Sequence, residues 1–310
     1  MRSLLLLKII PSALFASTLC LAQQYPPPPQ QPYPPGQDQY PQQQQYPPPN
    51  GYPQQPVYNQ APPPQSPQQL DQLVGPIALY PDGLLAQVLT AATYSNEIPD
   101  AANWANQHAY LRGDQLAGAI RADNLQFDPS VMALLPFPQV LGYMVQNMGW
   151  TQQLASAVLA QRPDVMDAVQ RMRYQAYNYG YLRAPQFAQY ERVVFEGPGL
   201  IQILPVQPGL YYVPAYSPYV VFAAPRPHAF IGAAFSFGGG ITIGAAFAPW
   251  GWGSVGFGWR EHSILIDNHP WVRTWNTRAY VHPYAAPYRP GPGPRIEGHE
   301  HREVRREEHH

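Results

Sequence analysis

Beyond its first 22 residues the sequence has no lysine and no cysteine: Lys8 and Cys20 are the only ones among 310 residues. A mature chain lacking both has no Schiff-base lysine, thiol nucleophile, disulfide or thiolate zinc site, so whole mechanistic classes fall away. Charge is scarce too. Asp, Glu, Lys and Arg supply 12% of the chain and the formal net charge is -1, which offers no basic field for nucleic acid and no acidic one. Nucleic acid is therefore not an expected partner. What abounds is proline (40) and glycine (24), unevenly spread, so much of the chain is not core-forming.

The first 22 residues read as a secretory signal. Arg2 and Lys8 carry positive charge, Ile9 to Leu21 are mostly apolar, and Cys20-Leu21-Ala22 ends in small residues, so cleavage after Ala22 is expected, with export to the periplasm or cell envelope. Acylation of Cys20 is disfavoured by Leu19, which stands where a lipoprotein site wants a small residue. From 23 to 65 follows a low-complexity linker. Over 23–69 there are 17 Pro, 16 Gln and 6 Tyr, with Asp38 the single charge, too little apolar surface to fold. Extended as polyproline II, such a stretch reaches up to about 145 Å, a tether or spacer. Its Tyr-Pro pairs (Tyr25-Pro26, Tyr33-Pro34, Tyr40-Pro41, Tyr46-Pro47, Tyr52-Pro53) also suit aromatic grooves or sugar rings.

Order is expected from Ser66, where Ser66-Pro67-Gln68-Gln69 has the N-cap hydroxyl, first-turn proline and third-position glutamine of a helix start. Leu70, Leu73, Val74 and Ile77 then recur at helical spacing. The same grammar returns after Asp82, Asp114, Asp128-Pro129, Pro138, Thr151 and Pro163-Asp164, with Gly180 as a stop. Seven to nine short helices over 66–180 result, packed as one α domain that is expected to fold alone. Residues 188–222 switch to short strands between Gly-Pro and Pro-Gly turns. Ile231-Gly232-Ala233-Ala234-Phe235 then recurs as Ile243-Gly244-Ala245-Ala246-Phe247. Between the copies Phe235-Ser236-Phe237, Gly238-Gly239-Gly240 and Ile241-Thr242-Ile243 predict a hairpin turning on the glycines. The fold class is thus α+β: a multi-helix domain, short antiparallel strands, and a Gly/aromatic-rich hairpin region over 223–282, with a charged, disordered tail over 283–310.

At this point a resemblance can be given. The run Leu70-Asp71-Gln72-Leu73-Val74-Gly75-Pro76-Ile77-Ala78-Leu79-Tyr80-Pro81-Asp82-Gly83-Leu84-Leu85-Ala86-Gln87-Val88-Leu89 resembles the signature of the bacterial domain-of-unknown-function 3300 family. Further likenesses are Trp104, Phe127-Asp128-Pro129-Ser130-Val131, Trp150-Thr151, Asp164-Val165-Met166-Asp167-Ala168-Val169-Gln170-Arg171 and Tyr212-Val213-Pro214-Ala215-Tyr216. The resemblance runs from about Leu70 to about Val221 and places the family domain at 66–222. Ser217-Pro218 stands where the family pattern has Asp-Pro, a substitution of one turn-capping residue by another. It implies export and a biased tail, and brings no activity, cofactor or catalytic residue.

Motifs that would carry chemistry are each answered by context. Gly251-Trp252-Gly253-Ser254-Val255-Gly256 spells the dinucleotide fingerprint, but Phe257-Gly258-Trp259 follows where a helix is needed, and a flat glycine-aromatic strand explains it. Ala234-Phe235-Ser236-Phe237-Gly238 approximates a nucleophile elbow without a following helix. Asp82, Asp128, Asp164 and Asp167 are formally available as an acid/base pair, although the first three sit where helices begin and read as caps. Trp104 and Trp150 read as core. His299-Glu300-His301 and His309-His310 form a weak chelating pattern inside a tail of five Arg and five Glu that balances its own charge. His262, His269 and His282 have no ligand spacing. No catalytic residue, cofactor or metal site is assigned. The reading is a non-catalytic envelope module whose partner is an envelope protein or the wall polymer; the alternatives are a hydrolase acting on an envelope polymer and a protein anchored through the uncharged stretch 229–248.

Overall fold

The computed structural model describes residues 60–225 and 231–278. The expected signal segment 1–22, most of the linker, and the tail with His282, His299, His301, His309 and His310 lie outside the described residues.

Order starts where the cap predicts. In α1 (Pro67–Val74) the Ser66 hydroxyl accepts from Gln69 N at 3.3 Å and the Gln69 side chain accepts from Ser66 N at 2.8 Å, a reciprocal box. Then come α2 (Asp82–Ala92), α3 (Ile98–Gln107), α4 (Gly113–Ala122), α5 (Pro129–Met132), α6 (Pro138–Gln146) and α7 (Met148–Asn178). The starts expected at Thr151 and Pro163 both lie in α7, which is two helices that meet at a kink at Gln161 (φ -144°), so the second start stands just before Pro163. Pro163 has no N–H and crowds the preceding turn, which accounts for the bend. The freed Gln161 side chain brackets the backbone of Gln65, accepting from its N at 2.7 Å and donating to its carbonyl at 3.3 Å. Gly180 at φ 87° ends the run.

After α8 (Pro185–Ala188), β1 (Glu191–Phe195) pairs antiparallel with β2 (Ile201–Pro205), Phe195 opposite Ile201. Next come β3 (Leu210–Tyr211), β4 (Pro214–Tyr216), α9 (Pro218–Val221), β5 (Phe235–Phe237), β6 (Ile241–Thr242), β7 (Val255–Gly258), β8 (Ser263–Ile266) and β9 (His269–Pro270). The Gly/aromatic-rich hairpin is β7–β8, extended by β9. The hairpin expected across Gly238–240 is not formed. Instead β5 pairs with β4, Tyr216 opposite Phe235, and β6 pairs with β3, Tyr211 opposite Ile241. The two pairs are separate two-stranded sheets, and between them three glycines stand across from Tyr212 and Val213, the one-residue excess of a bulge rather than a turn. Gly240 sits against Leu210 and Tyr212: a Cβ there would lie 2.8 Å from Leu210 Cδ1 and 3.0 Å from the Tyr212 ring.

All eleven residues of α2 are buried, which makes it the axis of the core. α5 and α7 pack around it, α1 packs on α7, and β2 and β7 close the remaining side of α2, with Phe247, Trp250, Phe257 and Trp259 joining the same apolar cluster. A Cβ on Gly83 would approach Tyr211 Oη to 2.7 Å, so the strand region lies directly on the helix. Among the described residues no helix is long and apolar enough to cross a membrane. The stretch 231–250 holds only short 3-10 turns, β5 and β6, so a spanning helix over 229–248 is not formed there.

Candidate functional site

The four aspartates do not assemble into one site. Asp82 is not a cap: the N-cap is Pro81, and Asp82 opens α2 with its carboxylate turned inward, 4% exposed. Its Oδ1 accepts from Arg173 Nη1 at 2.6 Å and Ile203 N at 3.1 Å, and its Oδ2 from Trp259 Nε1 at 3.0 Å. Arg173, fully buried, also donates to the carbonyls of Ala78 (2.8 Å), Tyr80 (3.0 Å) and Ile201 (2.8 Å). This ion pair is desolvated and matched bond for bond, the condition under which a buried pair is tolerated. It joins α2, α7, β2 and the residue after β7, and opens on no cleft.

Asp128 does cap α5, accepting from Ser130 N at 2.9 Å. Asp164 follows Pro163 where α7 resumes after its bend. Asp167 lies 2.8 Å from His262 Nε2 on an exposed face. Trp104 is fully buried and donates to Asp123 Oδ2 at 2.7 Å; Trp150 donates to the Leu73 carbonyl at 2.8 Å. Ser236 of the elbow-like motif lies on β5 opposite Ala215, with no helix behind it. Gly251 ends a 3-10 turn and Gly256 and Gly258 lie in β7, so no helix N-terminus stands where a dinucleotide phosphate would need one. Among the described residues no cluster of three or more His, Cys, Asp or Glu is placed to hold a metal ion.

Two acids that the sequence reading passed over are the perturbed ones. Glu191, at the head of β1, is 1% exposed and neither carboxyl oxygen has a hydrogen-bond partner. Burial, opposed by Arg173 and reinforced by Asp82, pushes it up to about 9, so the side chain is a neutral acid. Glu97, just ahead of α3, accepts from Asp128 N at 2.7 Å through Oε2. Burial lifts it to about 7, with the Asp128 amide opposing and the Asp128 charge reinforcing.

Glu97 lines a cleft of about 390 Å³ between the turn before α3, α7 and the segment 273–278. Tyr94, Gln152, Ser156, Arg273, Trp275 and Arg278 share its walls. The Arg273 guanidinium lies 3.7 Å from the Tyr94 ring centre. Burial, with the Asp128 charge behind it, pushes the Tyr94 hydroxyl up to about 12. The 271–273 backbone is held from α7 by Arg162, which donates to the carbonyls of Trp271 (2.9 Å) and Arg273. A concave pocket combining a neutral-range acid, an arginine and aromatic walls is the strongest candidate site described.

One sequence signal was available for the buried pair: Arg173 falls on the same helical stripe as Met166 and Val169, where a charge demands a buried partner. Nothing comparable marks Glu97 or Glu191.

Residues 66–286 match the family described as protein of unknown function (DUF3300), so the matched stretch runs past Val221 and takes in the β7–β8–β9 region and the cleft. The chain is similar to Uncharacterized protein YacH of Escherichia coli (strain K12), 35% identical over 51% of this chain and 30% of that protein. It thus spans under a third of the length of that relative. No solved structure matches.

Proposed function

We propose, from the premise that this chain belongs to the DUF3300 family, that it is an exported envelope protein whose domain is a non-catalytic binding module, its cleft receiving the wall polymer or an envelope protein. The observation that carries this is the cleft itself, where Glu97, Tyr94, Arg273 and Trp275 converge while Asp82 and Asp128 are committed to the fold. Support for the location comes from the signal-like first 22 residues and the Pro/Gln/Tyr tether after them. A tether of this composition gives the domain reach without fixing its orientation.

A second reading has its own support. A carboxyl lifted to about 7 beside a second carboxyl is poised for proton transfer, and Glu97 with Asp128 meets that description, as a hydrolase of an envelope polymer would require. One experiment separates the two. The signal-cleaved protein is incubated with purified wall polymer, and both the pellet and the soluble fragments are measured. The binding module pellets with the polymer and releases nothing. Fragment release that disappears in Glu97→Gln establishes the hydrolase instead, and protein left in the supernatant with no release removes the wall polymer as partner.

A further inference from the structure

Three donors in the cleft walls lack an acceptor. Arg273 Nε, Arg273 Nη1 and Trp275 Nε1 are buried and find no hydrogen-bond acceptor among the described residues. Arg162 Nε, one layer behind, is in the same condition. A buried donor left unpaired costs about 1–3 kcal/mol, so a group of them in one place calls for an explanation. The local carbonyls are already taken: those of Trp271 and Arg273 by Arg162, that of Arg278 by Arg273 Nη2 at 2.7 Å, and that of Trp275 by Arg278 at 2.6 Å. Of the nearby carboxylates, Glu97 Oε2 is held by the Asp128 amide and Asp128 Oδ1 by Ser130.

The aromatic faces are not free for stacking, because Arg273 covers Tyr94 at 3.7 Å and Arg278 covers Trp275 at 4.0 Å. What the cleft has to offer is the N–H donors of Arg273 and Trp275 and the positive charge of Arg273, against Glu97.

We propose that this cleft binds an oxyanion, a carboxylate or phosphate group of a small ligand, with Arg273 and the Trp275 indole N–H as donors. This rests on the reading of the cleft as a binding site and names the chemistry it selects. Charge-assisted hydrogen bonds to an oxyanion are the strongest that uncommitted arginine donors make. Glu97 stands about half protonated near neutrality, so its opposing charge is reduced there. The volume of about 390 Å³ admits a monosaccharide-sized molecule.

The test is calorimetric titration of the signal-cleaved full chain with three probes: N-acetylmuramic acid for a carboxylate, inorganic phosphate, and uncharged N-acetylglucosamine. Saturable binding of either anion and none of the neutral sugar is expected, and which anion binds identifies the group. Arg273→Gln weakens that binding about tenfold or more, the equivalent of one lost charged hydrogen bond. Trp275→Phe, which keeps a six-membered aromatic ring and removes the indole N–H together with the five-membered ring, weakens it several-fold and decides the matter should the arginine variant not fold. Absence of binding by both anions, equal binding of the neutral sugar, or wild-type affinity in Trp275→Phe overturns the proposal. Failure to pellet with wall polymer leaves the anion site standing, whereas failure to bind either anion removes the site even if the protein pellets.

Discussion

At neutral pH the Glu191 side chain keeps its proton, because burial strips the carboxyl of water, and the nearby Asp82 charge adds to that while Arg173 opposes it. The sign of the consequence follows from the folded value of about 9 against about 4.5 in the open chain. Folding stability from this residue is fully present below about 4.5 and is lost as pH rises towards 9. Replacing Glu191 by glutamine removes the titration, so E191Q is expected to be more stable than the parent at pH 7, by ~1–3 kcal/mol, and to show a flatter stability profile between pH 5 and 9. Denaturant melts across that range check it; a variant no more stable, with an unchanged pH slope, contradicts the assignment. The aspartates that the sequence offers as caps divide on the same grounds. Asp128 is legible because its donor, the Ser130 amide, is two residues away. Asp82 is not, since its partners Arg173, Ile203 and Trp259 lie 91, 121 and 177 residues along the chain.

Helices are the readable elements, since caps and apolar spacing are local properties, and α1, α2, α4, α5 and α6 begin within a residue or two of their signals. The exception is α3 (Ile98–Gln107), which no start signal marks; within α7 the start at Pro163 falls just after the kink at Gln161. Strand partners were less readable. Alternation in Phe235-Ser236-Phe237 and Ile241-Thr242 says which side chains share a face, but the ladder is made with 210–216, and nothing local specifies that choice. The bulge makes a differential prediction. Gly240→Ala places a Cβ against Leu210 and Tyr212 and is expected to destabilise by about 1–3 kcal/mol, while nothing lies within 4 Å of a Cβ at Gly239, where Ala costs no more than about 0.5 kcal/mol. Equal effects of the two substitutions on the melting temperature would return the glycines to the tip of a hairpin.

Across the described residues, α2 is covered on one side by helices and on the other by strands, so a chain ending at residue 180 lacks the strand cover of α2. A fragment of 66–180 loses the Ile203 and Trp259 donors to Asp82 and the Phe257 cover, leaving a half-desolvated ion pair on a raw apolar face. We expect 66–278 to melt as one cooperative unit and 66–180 to keep helical circular dichroism without a cooperative transition. A sharp melt of the shorter fragment would show that the helices suffice. The cleft was invisible in the sequence for the same reason of distance: its walls come from 93–97, 152–159 and 273–278, and no spacing rule links them.

The Asp82 node also sets a timetable. Its last donor, Trp259, is made after nearly everything else in the domain, so a chain that emerges N-terminus first carries Asp82 for 91 residues before Arg173 and for 177 before Trp259. Early collapse of the helices is premature by that clock, and contacts of long sequence separation are the slow ones to close. The final hundred residues are therefore the step that commits the core, and any helper that delays collapse until they arrive acts on α2.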